Sequence, residues 1–196
     1  MKNDKKPQIR FKGFTDDWEQ REVQEIVDFY DEKRKPIEAD VRAKGEYPYY
    51  GASGIIDYVE DYLFDSEMIL LSEDGANIID RNYRVCFLAS GKYWVNNHAH
   101  VLKAKNQFVN SFVCESLERL SYEQYNTGTA QPKLNQDVCK NIVINVTNET
   151  EQTQIGTFFK TLDNLITCHL RKFRQSCLCT KGRLCLYAHL QSLVAN

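Results

Sequence analysis

The sequence predicts an α+β fold, in which a mixed-sheet domain is followed by a long α-helix suited to coiled-coil-type packing. Four short apolar runs, at 68–71, 85–89, 99–103 and 142–146, are typical of buried strands. No regular helices separate them, so a doubly wound parallel sheet is not favoured. From residue 151, apolar residues recur at steps of three and four without a proline, which is typical of a helix. Residues 1–150 are therefore assigned to the mixed-sheet domain and residues 151–196 to a helix with an atypical tail.

The segments before the first apolar run are less regular. Residues 18–30 alternate apolar and charged side chains irregularly, which predicts a short strand followed by a helical turn. Residues 31–36 are a predicted exposed loop, because Pro36 biases the residue before it away from helix. The cations of this loop are either solvated or in contact with phosphate groups. The run of rings and glycines at 47–58 is interpreted as a turn-rich contact surface.

Two segments lie among the predicted strands. At 107–122, apolar residues at helical spacing predict an amphipathic helix. His98 and His100 flank Ala99, so along a strand both would face the same side. With residues 92–97 they form a dense group of donors and acceptors, which is either a polar turn or a contact surface.

The final helix has two apolar seams and needs partners on more than one side. Only three heptads are present, so packing against its own domain and a coiled coil remain alternatives. The residues assigned to a subunit interface are Ile155, Phe158, Phe159, Leu162, Leu165, Ile166 and Phe173.

The composition is that of a globular protein. The 196 residues are 42% hydrophobic and 27% charged, enough for one substantial core. No apolar run reaches the roughly 20 residues that span a bilayer, and the polar start does not predict a signal peptide, so a cytoplasmic location is expected.

Seven cysteines, an odd and scattered set, predict buried free thiols at Cys86, Cys114 and Cys139. The net charge of −2 argues mildly against nucleic acid, although the mainly basic segment 151–196 allows a local basic face.

Motifs for several kinds of catalysis are absent from the sequence. It has no phosphate-binding loop, no dinucleotide-binding glycine motif and no nucleophile elbow. All four prolines stand alone, which excludes the Pro-Pro tetrapeptide of amino-methyltransferases. The acid pairs Asp16-Asp17 and Glu73-Asp74 are interpreted as solvated turns. We therefore assign no catalytic residue.

The tail contains one combination of metal-ligand residue types: His169, Cys177, Cys179, Cys185 and His189. Its spacing does not match the common zinc modules, so no metal site is assigned. A zinc-binding module, or another DNA- or protein-interaction module, remains an alternative function.

Four blocks, at 47–58, 70–77, 97–102 and 128–135, occur in an order that resembles a target recognition domain of the specificity subunit of type I restriction-modification enzymes. The segment from Glu151 to Ile166 is similar to the start of that family's spacer helix. Phe14-x-x-x-Trp18 is similar to its amino-terminal entry. The resemblance covers most of the chain.

The resemblance implies a DNA-reading subunit without catalysis of its own. Such a subunit reads half of a bipartite target in double-stranded DNA and docks modification (methyltransferase) subunits and a restriction subunit. S-adenosylmethionine, and ATP with Mg, are expected on those partners and no cofactor on this chain. The chain resembles a half subunit, with one recognition domain and one helix, which predicts a homodimer and a palindromic bipartite site.

Family position and side-chain chemistry together predict the DNA contacts. The tail beyond residue 173 departs from the family pattern, so an inactive truncated specificity cassette, produced by a frame slip, is a further alternative. The residues assigned to DNA binding are Lys33, Arg34, Lys35, Tyr49, Tyr50, Gly51, Ser53, Lys92, Tyr93, Asn96, Asn97, His98, Gly128, Gln131 and Lys133.

Overall fold

The computed structural model describes residues 7–179, with side chains to residue 170. The described chain divides into two compact units between Gly156 and Thr157. The first unit has an α+β fold that contains a mixed sheet, as predicted. Single 3-10 turns lie at Asp31–Lys33 and Glu123–Tyr125. The other elements are β1 (Glu19–Glu22), α1 (Val23–Ile26), β2 (Val27–Phe29), β3 (Lys44–Gly51), β4 (Gly54–Val59), β5 (Phe64–Asp65), β6 (Met68–Ser72), α2 (Asn77–Asp80), β7 (Cys86–Ala89), β8 (Lys92–Val95), β9 (Ala99–Ala104), α3 (Asn110–Glu118), α4 (Gln136–Lys140), β10 (Val143–Val146) and α5 (Glu149–Cys179).

The strands within residues 7–179 form three sheets. The order β2-β9-β6-β7 is antiparallel throughout, whereas the order β4-β3-β8-β5 is mixed, because β3 and β8 run parallel. The first and last strands, β1 and β10, form a separate antiparallel pair.

Strand β6 lies between two apolar cores. Ile69 and Leu71 pack into the larger core, with α3, and Leu70 packs into the smaller one beside Tyr93. Successive side chains of a strand point to opposite faces, so a strand buried on both faces must be apolar at every position. This explains the unbroken apolar run of its first four residues, 68–71; the fifth residue, Ser72, is buried with its hydroxyl hydrogen-bonded.

The four predicted strands are confirmed as β6, β7, β9 and β10. The strand and helical turn predicted in 18–30 are confirmed as β1 and α1. The helix predicted at 107–122 is present but shorter, as α3, with Phe112, Val113 and Leu117 buried.

The segment 47–58 forms a β-hairpin, so its interpretation as turn-rich is wrong. Strands β3 and β4 pair antiparallel, from Lys44 opposite Val59 to Gly51 opposite Gly54. A two-residue turn joins Gly51 to Gly54. Gly54 has a φ of +118°, a conformation that favours glycine. Two register shifts in the pairing of β3 with β4, one on each strand, interrupt the period-two alternation, which hid the hairpin in the sequence.

The first turn of α5 is fixed to the first unit. The Asn148 carboxamide oxygen accepts from the backbone N–H of Glu151 at 3.0 Å. The buried Glu151 carboxylate accepts from Arg10 at 2.7 and 2.8 Å. A Cβ added at Gly156 would lie 2.0 Å from Ser111 Oγ, so the helix backbone approaches α3 closely there.

Candidate nucleic-acid interface

Backbone hydrogen bonds join distant segments around the end of β6. The N–H of Glu73 donates to the carbonyl of His98 at 2.9 Å, and the N–H of Leu134 donates to the carbonyl of Glu73 at 2.7 Å. The N–H of Asn96 donates to the carbonyl of Tyr50 at 3.0 Å. The Ser72 hydroxyl donates to the carbonyl of Ala52 at the hairpin tip. The segments brought together are 31–37, 50–54, 72–77, 95–100 and 126–135.

A charged cluster lies beneath these segments. It consists of Asp31, Arg34, Glu73 and His100, whose side chains are 8%, 12%, 14% and 1% exposed. Arg34 Nη1 lies 2.7 Å from Glu73 Oε2, and His100 Nδ1 lies 2.6 Å from Asp31 Oδ2. The cluster pairs two cations with two carboxylates, so its charges are balanced within the protein.

The hydrogen bonds of His100 require a charged ring. Its Nε2 lies 2.7 Å from the carbonyl oxygen of Leu134, which can only accept, so this nitrogen carries a proton. Its Nδ1 faces the carboxylate of Asp31, which also only accepts when ionised. Burial lowers the pKa of His100, but hydrogen bonds with Asp31 and Cys139 raise it, to about 10. The ring is therefore an imidazolium at neutral pH.

The loop 126–133 is closed by side-chain and backbone bonds. Asn126 Oδ1 accepts from the N–H groups of Gly128 and Lys133, both at 2.9 Å. A Cβ added at Gly128 would lie 1.7 Å from the carbonyl oxygen of Gln131, so this turn requires glycine. The Lys133 ammonium lies 3.5 Å from Glu73 and remains 46% exposed. The loop thus presents a cation to solvent beside the charged cluster.

The predicted DNA-binding residues differ in exposure. Tyr49, Tyr93, Asn96 and Gly51 are buried and belong to the packed hairpin and β8, so their side chains or Cα atoms meet protein. Arg34, Tyr50 and Gly128 are partly exposed. The predicted residues that reach solvent freely are Lys33, Lys35, Ser53, Lys92, Asn97, His98, Gln131 and Lys133.

The two histidines do not lie on one strand face; of the two predicted alternatives, the structure has the polar turn that leads into a strand. His98 lies in the turn before β9, whereas His100 lies within the strand. The N–H of His98 donates to Asn96 Oδ1 at 2.8 Å, which shapes this turn. The ring of His98 is 49% exposed and lies 2.8 Å from Asp74.

Sequence reasoning missed Asp31 and Glu73, the two carboxylates of the cluster. It also missed Ile55 and Ile56, which are 46% and 54% exposed on β4. A Cβ added at Gly51 would lie 3.2 Å from Ile56 Cγ2, so this apolar side chain borders the same surface. Two adjacent isoleucines within a hairpin cannot both face a core, and that pattern was the available signal.

The predicted subunit-interface residues lie along α5. Ile155 packs against the larger core of the first unit. The side chain of Phe173 lies outside the part of the chain described at that level. The other predicted residues, together with Leu170, are exposed: Phe158, Phe159, Leu162, Leu165 and Ile166.

The described residues contain buried free thiols but no candidate metal site and no membrane-spanning helix. Among the described residues, no group of three or more His, Cys, Asp or Glu could hold a metal ion; of the proposed zinc set, Cys177, Cys179, Cys185 and His189 lie outside the described side chains. Cys86, Cys114 and Cys139 are buried and free, as predicted. Within residues 7–179, no helix is long and apolar enough to cross a membrane.

Known proteins similar to this chain share one description. Residues 15–173 match the family profile of the type I restriction modification DNA specificity domain. A putative type I restriction enzyme specificity subunit of Haemophilus influenzae is 34% identical over 137 residues, which cover 70% of this chain and 35% of that protein. The chain therefore spans about a third of the length of this curated relative.

Two solved structures share the fold. The S subunit of a type I restriction-modification system from M. genitalium aligns with a TM-score of 0.62 at 15% identity, over 91% of this chain and 50% of that one. The second structure describes complex assembly and conformational transition of the type I R-M system. One of its chains aligns with a TM-score of 0.54 at 11% identity, over 81% of this chain and 41% of that one.

Proposed function

The chain belongs to the type I restriction modification DNA specificity family, and from this premise we propose that it reads one half of a bipartite target in double-stranded DNA. Specificity subunits of these systems are non-catalytic and hold no cofactor of their own. The observation that supports DNA reading here is the meeting of five segments at one site, with exposed cations and amides at its edge. Cations fix a protein on phosphates, and amides and hydroxyls read base edges.

The proposed role of each residue follows from the exposure of its side chain to solvent. Lys33, Lys35 and Lys133 approach phosphates, while Asn97 and Gln131 face base edges. The buried Tyr49, Tyr93 and Asn96 support the hairpin and β8. Lys92, whose ammonium lies 4.6 Å from the centre of the Tyr62 ring, adds a further exposed cation.

The partners are proposed from the family. Modification subunits, which carry S-adenosylmethionine, and a restriction subunit, which uses ATP with Mg, assemble on the chain in the cytoplasm. The exposed apolar side chains of α5 support a homodimer, because a single helix leaves them in water. A dimer of such chains reads a palindromic bipartite site.

Replacing Lys133 or Asn97 with alanine is expected to change DNA binding in two different ways. Lys133→Ala should weaken binding to all duplexes and reduce the slope of log affinity against log salt by about 1. Asn97→Ala should relax selectivity at one or two base pairs, with a cost of about 1–3 kcal/mol at each. The measurements are affinity at several salt concentrations and sequencing of the adenines methylated by the complex reconstituted with its modification subunit.

Lys103→Ala is the matched control, since Lys103 is an exposed lysine on β9 outside the joined segments. It should leave affinity and methylation unchanged. Wild-type behaviour of both Lys133→Ala and Asn97→Ala in the same complex would refute this assignment of the surface.

A further inference from the structure

The loop Lys33-Arg34-Lys35 contains three cations, and only the middle one is turned into the protein. The Arg34 side chain is 12% exposed, whereas Lys33 and Lys35 are exposed residues. Sequence reasoning placed all three on DNA, so the difference assigns separate roles within one loop.

Most donors of Arg34 are already used. Its Nη1 donates to Glu73 Oε2 at 2.7 Å and to the carbonyl of Ala99 at 2.8 Å. Its Nε donates to the carbonyl of Asp31 at 3.1 Å, and its Nη2 lies 3.4 Å from the Asp31 carboxylate. A guanidinium has five N–H donors, so one is left for any further partner. Turning it to a phosphate would break its hydrogen bonds to the Glu73 carboxylate and to the carbonyls of Ala99 and Asp31 in a nearly buried site, which is unfavourable.

The groups that Arg34 holds adjoin the proposed contact residues. Ala99 follows His98 directly, and Glu73 precedes Asp74, whose carboxylate binds His98. The Glu73 carbonyl accepts from the N–H of Leu134, which follows Lys133. Fixing Arg34 therefore fixes the turn 96–98 and the end of the loop 126–133 at the same time.

We propose that Arg34 is a positioning residue, which holds the turn 96–98 and the loop 126–133 in the arrangement that reads bases, and that it makes no phosphate contact itself. This proposal rests on the proposed function. It predicts that loss of Arg34 removes sequence selectivity and leaves non-specific, salt-dependent binding in place, because only phosphate contacts release counterions.

Two variants of the full chain separate positioning from phosphate contact. A lysine binds phosphate as a point charge, but it cannot reproduce the planar fork that reaches Glu73, Ala99 and Asp31 together. Arg34→Lys and Arg34→Gln should therefore behave alike. Lys33→Ala is the matched control for an exposed cation of the same loop.

The test is selection from a pool of random-sequence duplexes, with sequencing of the bound fraction and measurement of pool affinity at several salt concentrations. For both Arg34 variants, enrichment of the wild-type motif is expected to fall about tenfold or more, with pool affinity within about twofold and an unchanged salt slope. Amide hydrogen exchange without DNA should quicken at 97–98 and 128–133 and stay slow in β6 and β9, which shows that the core is folded.

The proposal is overturned if Arg34→Lys enriches the motif as the wild type does. It is also overturned if Arg34→Gln lowers the salt slope by about 0.9, the change expected of Lys33→Ala as a phosphate contact. A wild-type chain that enriches no motif would instead refute the proposed function, and the exchange measurement would still show whether Arg34 holds the two segments.

Discussion

Replacing His100 with leucine is expected to lower the free energy of unfolding by about 3–5 kcal/mol at pH 7, because it removes one partner of a buried ion pair. His100 is 1% exposed and its two ring nitrogens donate to Asp31 and to the carbonyl of Leu134. Leucine leaves that carbonyl without the ring donor and removes one charged donor from the Asp31 carboxylate. Urea unfolding of the full chain measures the loss.

The size of this loss should depend on pH. The folded-state pKa of His100 is about 10, above the ordinary 6.5, so its contribution is fully present below about pH 6.5 and disappears as the pH rises through 10. Burial raises the pKa of Asp31, but the hydrogen bond from His100 and the nearby positive charges hold it below 3.8. Its contribution is therefore present above pH 3.8 and is lost as the pH falls through its folded-state value. The difference between wild type and His100→Leu is expected to shrink between pH 6.5 and 10.

His98 supplies the control, since it also faces an aspartate but is 49% exposed. His98→Leu should cost less than about 1 kcal/mol, as exposed ion pairs contribute little. Equal losses for the two variants, or a His100→Leu deficit that stays constant up to pH 10, would contradict the ion-pair account.

Replacing Leu162 and Ile166 together with aspartate is expected to weaken self-association about 100-fold or more, because two charges would be buried against apolar partners. Both residues are exposed on α5, and Ile166 is 57% exposed. They lie four positions apart and so on one helix face. Sedimentation velocity across micromolar concentrations should show dimers of the wild type and monomers of the variant.

Asn164→Asp with Thr167→Asp is the control, because it adds the same two charges on the side of α5 that is turned away from Leu162 and Ile166. This variant should remain a dimer. A wild-type chain that stays monomeric throughout, and that fails to assemble with the modification subunit, would argue against the proposed dimer.

The elements that were predicted correctly are those whose sequence pattern is visible within the element itself. The first four residues of β6 are apolar because the strand lies between two cores, and α5 shows its helical spacing over many turns. The family blocks were equally readable, since the order of four motifs needs no knowledge of packing. The hairpin of β3 and β4 was missed because register shifts in its pairing break the alternation on which strand prediction depends.

The sequence predicted which segments form the candidate site, but it did not predict which of their side chains are buried and which are exposed. Asp31 binds a histidine 69 positions later, and its neighbours in sequence are those of a solvated loop. Residue type alone could not show that Tyr49 and Tyr93 face inward or that Arg34 is enclosed by carboxylates. Which exposed side chains touch DNA stays a prediction, and the substitutions above test it.

The pairing of β1 with β10 has a consequence for how the chain folds during synthesis. This ladder joins the first and last strands of its unit, so it cannot form until the ribosome has released nearly the whole unit. Closing so long a loop also places it late among the folding steps. Helix α5 follows β10 directly, and its apolar turns emerge only after that last strand is available. A nascent chain can therefore complete its first unit before it exposes the helix that would attract a second copy.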